Sequence, residues 1–498
     1  MKLKNLLVGI TTAGTVGPME VEVTAVQADS RLCGPGGLFV AVRTVNSDGH
    51  RFIDAAIGRG ARVIVCETLP ADVPADIAFV QVGDSRKALA LLALRFHGDP
   101  HKHLRFLGVT GTNGKTTCSY LLRAILRRAG ARVAVIGTTG NIIHDRLEAT
   151  KFTTPEQPAL AELLARLVSE QIDWVVIEVS SHALALDRVA EIDFDGALFT
   201  NLTRDHLDFH GSMRDYIAAK RLLFERLRQG AIAAANGDDP QGAEMAAAAE
   251  QADARLYGRT PGVDTTIVDE RLQADGSDFR LRWQDGETPA ELELHIAMPG
   301  KFNVLNAAGA ATLCLGLGID PIIIREGLAA AAAAPGRMQS SLLPNGANAV
   351  VDYAHTPDAL TNALRACRDG MAAKARLICV FGCGGDRDAG KRPLMGQAAA
   401  AEADVLIVTN DNPRTEQPEQ IVHDILAGLD AAAGARVRII LDRRTAIHAA
   451  LAQCRPGDVA LIAGKGHEEY QIVGTERLDF SDQREVDGFI RSGGRTKG

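Results

Sequence analysis

The stretch GVTGTNGKTTCSY at Gly108–Tyr120 follows an apolar run, LRFLGVT, and precedes an amphipathic segment, YLLRAILRRAG. Strand, glycine loop and helix in that order can hold an anion. Glycines let the loop backbone curl so that several N–H groups face one phosphate. Lys115 adds a point charge, Thr116 can ligate Mg²⁺, and the helix N-terminus adds its dipole. Val109 stands where the general phosphate-loop pattern has its first glycine. The alternative reading is therefore a glycine turn that only caps a helix.

Other chemistry-bearing residues fall at the ends of apolar runs. WVVIEVSSH ends in Glu178, Ser180, Ser181 and His182. A carboxylate at the end of a buried strand is poorly solvated unless it meets a cation, and beside a phosphate loop that cation is Mg²⁺. A strand-end acid in solvent is the plainer alternative. The next loop crowds Asn201, Asp205, His206, Asp208 and His210 together, where a second metal or a phosphate could be held. Lys220, in the helical pattern that follows, reads on its own as a snorkelling surface lysine. Asn303 and Asn306 share a helical face, to meet an adenine or to cap, and Arg337 follows Pro335-Gly336 at a hinge where it could meet a phosphate. In VDYAHTPDAL, GCGGDRDAGKRPLMG, TNDNPRTE and AGKGHEEYQ, charged groups of both signs fall at strand ends. That suits a zwitterionic small molecule.

The elements that must position these residues are short apolar strands alternating with helices. Among 498 residues, 46% are hydrophobic and 23% charged, as in an ordinary globular protein of roughly three domains. The net charge of −8 argues against a general nucleic-acid binder. Eight scattered cysteines form no Cys-x-x-Cys pair and read as buried free thiols of a reducing compartment. The start, MKLKNLLVGITTAG, faintly mimics a signal peptide with too short an apolar core, and no stretch is long enough to span a membrane. LFVAV, ARVIVCE and IAFVQV outline a small α/β unit up to about residue 98. RVAVIGT, WVVIEVSS, GALFTNL and AIAAAN continue from the glycine loop as a mostly parallel sheet. Antiparallel strands are expected over about 250–298. NAVVDYAH, RLICVFGC, DVLIVTND, VRIILD and DVALIAGKG then form a third α/β unit.

Taken together, GTNGKTT, EVSSHAL, TNLTRDHLDFHG, YIAAKRLLF, GRMQ, DYAHTPDAL, GGDRDAGKRP, DNPR and AGKGHEEYQ resemble the Mur ligase family, in the expected order along nearly the whole chain. The resemblance implies a three-domain α/β architecture: a UDP-sugar substrate-binding domain over 1–98, a central phosphate-loop ATP-binding domain over 99–335 and a Rossmann-like amino-acid-binding domain over 336–498. It implies ATP-dependent amide formation through an acyl phosphate in peptidoglycan precursor synthesis. DNPR resembles the version that adds meso-diaminopimelate to the D-Glu of UDP-N-acetylmuramoyl-L-Ala-D-Glu. ATP is then held by Gly111, Thr112, Asn113, Gly114, Lys115, Thr116, Thr117, Asn303 and Arg337. Mg²⁺ is held by Thr116, Glu178, His206 and Lys220, the last as a carbamate formed with CO₂. Lys115, Lys220 and His206 carry catalysis. The nucleotide-sugar dipeptide meets Ser30, Val45, Asn46, Ser47, Thr153, Thr154, Ser180 and Arg188, with Leu186 where relatives often have glutamine. Diaminopimelate meets Arg387, Asp411, Asn412, Pro413, Arg414, Gly464 and Glu468. A desolvated Arg414 left unpaired by lysine implies discrimination of several hundred-fold or more. A cytoplasmic monomer without nucleic-acid partner is expected. A folylpolyglutamate synthase-like ligase and a nucleotide-switch ATPase are the competing readings.

Overall fold

The computed structural model describes residues 1–44, 47–273, 275–286, 288–434 and 436–493. Val45 and Asn46 lie outside the described residues, as does the side chain of Asp208. The chain divides into two compact units, Met1–Tyr257 with Thr312–Ile319 and Gly258–Ala311 with Asp320–Gly498.

The first unit holds two sheets. In the smaller, Val26–Gln27, Leu38–Val40, Val63–Cys66 and Ala78–Val82 run parallel, and Thr12–Val16 pairs antiparallel with Ala78–Val82. Leu3 and Leu6 of helix Leu3–Leu6 are buried in the core beside this sheet. In the larger sheet, strand Arg105–Thr110 lies between Trp174–Glu178 and Phe194–Phe199, all parallel. Leu227–Asn236 follows on one side and Val133–Gly137 on the other. Chain order reverses direction at Arg105–Thr110, and ligands collect at the carboxyl ends of strands at such a switch point. The strands are buried along both faces, so they read as continuous apolar runs rather than alternating ones.

One close approach fixes the helix that carries Lys220. Gly108 lies so near helix Met213–Glu225 that a Cβ there would stand 2.9 Å from Leu223 Cδ1 and 3.0 Å from Phe194 Cε1. The helix buries Tyr216, Ala219, Lys220, Leu223 and Phe224, an i, i+3, i+4, i+7, i+8 stripe. Lys220 therefore belongs to the inward face, in contrast to the surface position that the residue alone suggests.

The second unit contains an antiparallel meander, Thr265–Leu272, Ser277–Asp285 and Thr288–Ile296, within the stretch expected to be antiparallel. A six-stranded sheet has the order Gln339–Leu342, Asn348–Asp352, Val459–Ala463, Leu377–Phe381, Val405–Val408, Val437–Ile439, parallel except for the first strand. Three loops leave the carboxyl ends of its central strands: 382–388, 409–414 and 464–468. The hinge expected at Pro335-Gly336 is packed within this unit. A Cβ on Gly336, at φ +64°, would stand 2.1 Å from the Gly466 carbonyl carbon.

Candidate active site

The glycine loop is tied down by the strand-end loop beside it. Asn201 O accepts from Thr112 N at 2.8 Å, and Asn201 Oδ1 accepts from Asn113 N at 3.0 Å. Thr200 Oγ1 donates to Asn113 O at 2.6 Å. Gly111, at φ +145°, approaches Thr200 so closely that a Cβ would lie 1.9 Å from Thr200 Oγ1, so only glycine fits. Gly114 takes φ +85° and starts helix Lys115–Arg128, in whose first turn Thr116 and Thr117 are buried. Lys115 Nζ donates to Gly111 O at 2.9 Å and Thr112 O at 2.8 Å.

A second lysine reaches the same carbonyl. Lys220, 1% exposed, donates from Nζ to Gly111 O at 2.8 Å and lies 4.5 Å from the centre of the Tyr216 ring. Burial pushes its amine well below the ordinary lysine range. Lys115 adds to the depression and Asp205 opposes it. Tyr216 completes the link, its hydroxyl 3.1 Å from Thr112 Oγ1.

Glu178, 1% exposed, sits at the end of its strand within a group of hydroxyls. Thr116 Oγ1 donates to Oε2 at 3.1 Å, Thr138 Oγ1 to Oε2 at 2.9 Å and Thr138 N to Oε1 at 3.0 Å. Thr153 Oγ1 stands 3.1 Å from Thr138 Oγ1 and Thr154 Oγ1 donates to Glu178 O at 2.7 Å. Ser180 caps the short helix Ser181–Ala185 by accepting from Ala183 N. Thr138 was not anticipated; the GTTG that follows an apolar strand was its available signal. These hard oxygens suit Mg²⁺. His206 stands on the loop that follows strand Phe194–Phe199. It lies 3.4 Å from Asp205, and its ring is 4.9 Å from that of His182. Among the described residues, no group of three or more His, Cys, Asp or Glu side chains could hold a metal ion by itself.

Ser30, Ser47 and Arg188 come together around one cavity of about 760 Å³. Arg31, Arg59 and Arg86 add positive charge to its lining, and Leu186 contributes an apolar side chain. Arg188 Nη1 donates to Thr154 O at 2.9 Å, which joins this cavity to the end of the Glu178 strand. Burial lowers the Arg188 guanidinium from its ordinary range, against the pull of Glu156.

Asn303, Arg337 and the expected amino-acid residues belong to the second unit. Asn303 is buried, its Nδ2 donating to Pro299 O at 2.8 Å, with Asn306 Nδ2 3.4 Å from its Oδ1. The Arg337 guanidinium lies 4.7 Å from the Tyr353 ring centre. Burial, with the charge of Arg337, lowers His467 to about 4.

Asp411, Asn412 and Glu468 meet at one buried ammonium. Lys465 Nζ donates to Asp411 Oδ1 at 3.2 Å, Asn412 Oδ1 at 3.0 Å and Glu468 Oε2 at 3.1 Å. Gly464, at φ +117°, lies beside Asp411. Arg414 follows the buried Pro413 and donates from Nη1 to Gly385 O at 2.6 Å. Arg387 is exposed on the neighbouring loop. Lys465 was missed as a site residue, although AGKGHEEYQ contains it. Nothing local in that motif reveals which groups its ammonium meets.

Three family models match the chain: Mur ligase family, catalytic domain, over residues 22–97; Mur ligase middle domain over 109–314; and Mur ligase, glutamate ligase domain, over 336–466. The chain is 42% identical over 493 residues to a UDP-N-acetylmuramoyl-L-alanyl-D-glutamate--2,6-diaminopimelate ligase of Syntrophomonas wolfei, covering 99% of each chain. It is 44% identical over 472 residues to the Chlorobaculum tepidum protein of the same name, covering 93% of this chain and 91% of that one. A solved structure of a ligase so named matches with a TM-score of 0.74 and 34% identity over 100% of both chains. Folylpolyglutamate synthase of Mycobacterium tuberculosis, complexed with ADP, shares the fold at a TM-score of 0.61 and 17% identity, covering 76% of this chain and 92% of that one. With matches along nearly its whole length, the chain belongs to the Mur ligase family.

Proposed function

We infer that this protein is an ATP-dependent ligase that adds meso-diaminopimelate to the D-Glu of UDP-N-acetylmuramoyl-L-Ala-D-Glu in peptidoglycan precursor synthesis. The observation that carries the reading is the cluster of charged side chains on the strand-end loops of the second unit. Asp411 and Glu468 gather there, and Arg414 stands on the same loop as Asp411. A diamino dicarboxylic acid needs both signs: carboxylates for an ammonium and a guanidinium for the second carboxylate. The names of the full-length relatives support it. The three-domain division at 1–98, 99–335 and 336–498 goes with this reading, as does a monomer acting in the cytoplasm. Among the described residues no helix is long and apolar enough to cross a membrane.

A carboxylate is a poor acyl donor because oxide would have to leave. Transfer of the ATP γ-phosphate to the D-Glu carboxylate gives an acyl phosphate. The amine of diaminopimelate then attacks its carbonyl carbon, and phosphate departs as the amine loses a proton. The loop from Gly111 to Thr117 offers backbone N–H groups and Lys115 to the phosphates, with Asn303 and Arg337 assigned to the rest of ATP. Glu178, Thr116 and His206 are the residues that would hold Mg²⁺, which supplies charge neutralisation at the phosphates. Lys220 fits a carbamate. A buried amine held below the lysine range keeps a free electron pair to attack CO₂, and loss of a proton leaves an anion beside Lys115. Ser30, Ser47, Arg188 and the cavity they line would take the nucleotide-sugar, with Val45, Asn46, Thr153, Thr154 and Ser180. Positioning and charge, with no side-chain nucleophile, carry the catalysis.

The test is ADP release from ATP and UDP-N-acetylmuramoyl-L-Ala-D-Glu, with and without meso-diaminopimelate, and a mass measurement of the product. Release that depends on diaminopimelate and a product heavier by one residue are expected. ADP release indifferent to the amino acid would favour a nucleotide switch and refute the ligase reading.

A further inference from the structure

Lys465 is completely buried in the loop that follows strand Val459–Ala463. An ammonium has three N–H donors and no acceptor. Here each donor has its own partner: Asp411 Oδ1, Asn412 Oδ1 and Glu468 Oε2. Asn412 Oδ1 also accepts from Ile472 N at 2.9 Å, so two donors face that oxygen and the amide cannot be turned over. Its Nδ2 is thereby directed to Glu468 Oε2 at 3.0 Å. The other Glu468 oxygen lies 3.3 Å from the Tyr470 hydroxyl. One ammonium thus sets the orientation of two carboxylates and an amide that come from two different loops. Asp411 Oδ2 is left beside Gly464, where a Cβ would lie 3.7 Å away and the glycine leaves space.

The roots of the same two loops are held separately. Arg443, 1% exposed, donates to Asn410 O at 3.3 Å and Ala463 O at 3.0 Å, and pairs with the buried Asp482 through two contacts of 2.7 Å. Lys465 is therefore not needed to join the strands. What it adds is a cation in direct contact with both carboxylates at the loop tips. Two carboxylates with one ammonium leave a net single negative charge, which matches one incoming ammonium. Without Lys465 the carboxylates would repel each other and the amide would lose a donor that orients it.

We propose that Lys465 is the positioning residue of the amino-acid pocket, holding Asp411, Asn412 and Glu468 in the arrangement that receives an ammonium group of the diamino acid. The proposal rests on the ligase reading above. Its test compares wild type, Lys465→Met and Lys465→Arg by ADP release, varying each of the three substrates in turn, with melting temperatures of all three proteins. Lys465→Arg keeps the charge, but a planar fork cannot place three donors on three acceptors arranged around a point. Both variants should raise KM for diaminopimelate about tenfold or more, the loss of one charge-assisted contact. KM for ATP and for the nucleotide-sugar dipeptide should stay within about twofold, and kcat at saturating diaminopimelate within about threefold, of wild type. Equal changes in all three KM values, lowered melting with unchanged KM values, or failure of both variants to fold would assign Lys465 to stability alone and overturn the proposal. A wild-type enzyme whose ADP release ignores diaminopimelate would overturn the ligase reading and this proposal together. A dependent wild type with unaffected variants overturns only the role of Lys465.

Discussion

Replacing Arg414 by alanine should remove most of the preference for meso-diaminopimelate over L-lysine, and the structure sets the size of the effect. A fully desolvated guanidinium deprived of its carboxylate would cost about 3–5 kcal/mol, which is the basis of a several-hundred-fold expectation. Arg414 is not in that situation. It is half-buried, and Nη1 already donates to Gly385 O at 2.6 Å. Its backbone is pinned on both sides, N donating to Ile472 O at 3.1 Å and O accepting from Gly474 N at 2.8 Å. When lysine replaces diaminopimelate, the guanidinium keeps one carbonyl and some solvent. The loss is then one charge-assisted interaction of about 1.5–3 kcal/mol, a discrimination of roughly 10- to 150-fold. The assay is kcat/KM for both amino acids at saturating ATP and nucleotide-sugar dipeptide. Arg414→Ala should lower the diaminopimelate value by that factor, leave the lysine value within about threefold and leave KM for ATP unchanged. The residue sits at φ +51°, where alanine and arginine are strained alike, so the melting temperature should move little. Arg414→Lys restores charge without the planar fork and should recover only part of the loss. Equal use of both amino acids by wild type, or an Arg414→Ala variant that keeps the wild-type ratio, would refute the assignment.

Other expectations follow from the same geometry. Lys220→Met conserves volume and removes a buried amine whose charged form burial opposes, so stability should change by less than about 1.5 kcal/mol while kcat falls by about 10²-fold or more; full activity would sink the carbamate. Glu178→Gln keeps the shape that receives Thr116 and Thr138 but drops the charge, so the Mg²⁺ concentration for half-maximal activity should rise about tenfold, and an unchanged requirement would remove Glu178 from the metal set. His467, lowered from the ordinary 6.5 to about 4, takes up its proton in the unfolded chain before the folded one as pH falls. Stability should therefore be lost as pH drops through that window, by up to about 3 kcal/mol, and His467→Gln should flatten the slope in urea midpoints.

How much of this was legible in the sequence depends on how local each signal is. Continuous apolar strands and the glycine loop are local, and Arg105–Thr110, Trp174–Glu178 and Val459–Ala463 lie within the runs that announced them. Short polar hairpins are not: Gly140–Ile143 with Arg146–Glu148, and Tyr470–Val473 with Glu476–Asp479, have no apolar run to mark them. Ser30, Ser47 and Arg188 could be grouped only by resemblance, because the contacts that gather them around one cavity join residues far apart in the chain. For Lys220 a local signal existed in the helical stripe with Tyr216, Leu223 and Phe224. A lysine counted as polar hides its membership of such a stripe.

The two buried lysines show why residue type and burial alone do not decide chemistry. Lys220 and Lys465 are 1% and 0% exposed. Lys220 meets a single carbonyl, Gly111 O, which Lys115 also occupies, so its charged form is opposed by burial and by a neighbouring cation. An amine so placed gains by giving up its charge, and CO₂ offers a route to a negative one. Lys465 spends all three donors on two carboxylates and an amide, so its charge is fully partnered. The same side chain is opposed as a cation in one setting and fully partnered as one in the other. What differs is which backbone and side-chain oxygens the two parallel sheets bring to the end of each ammonium.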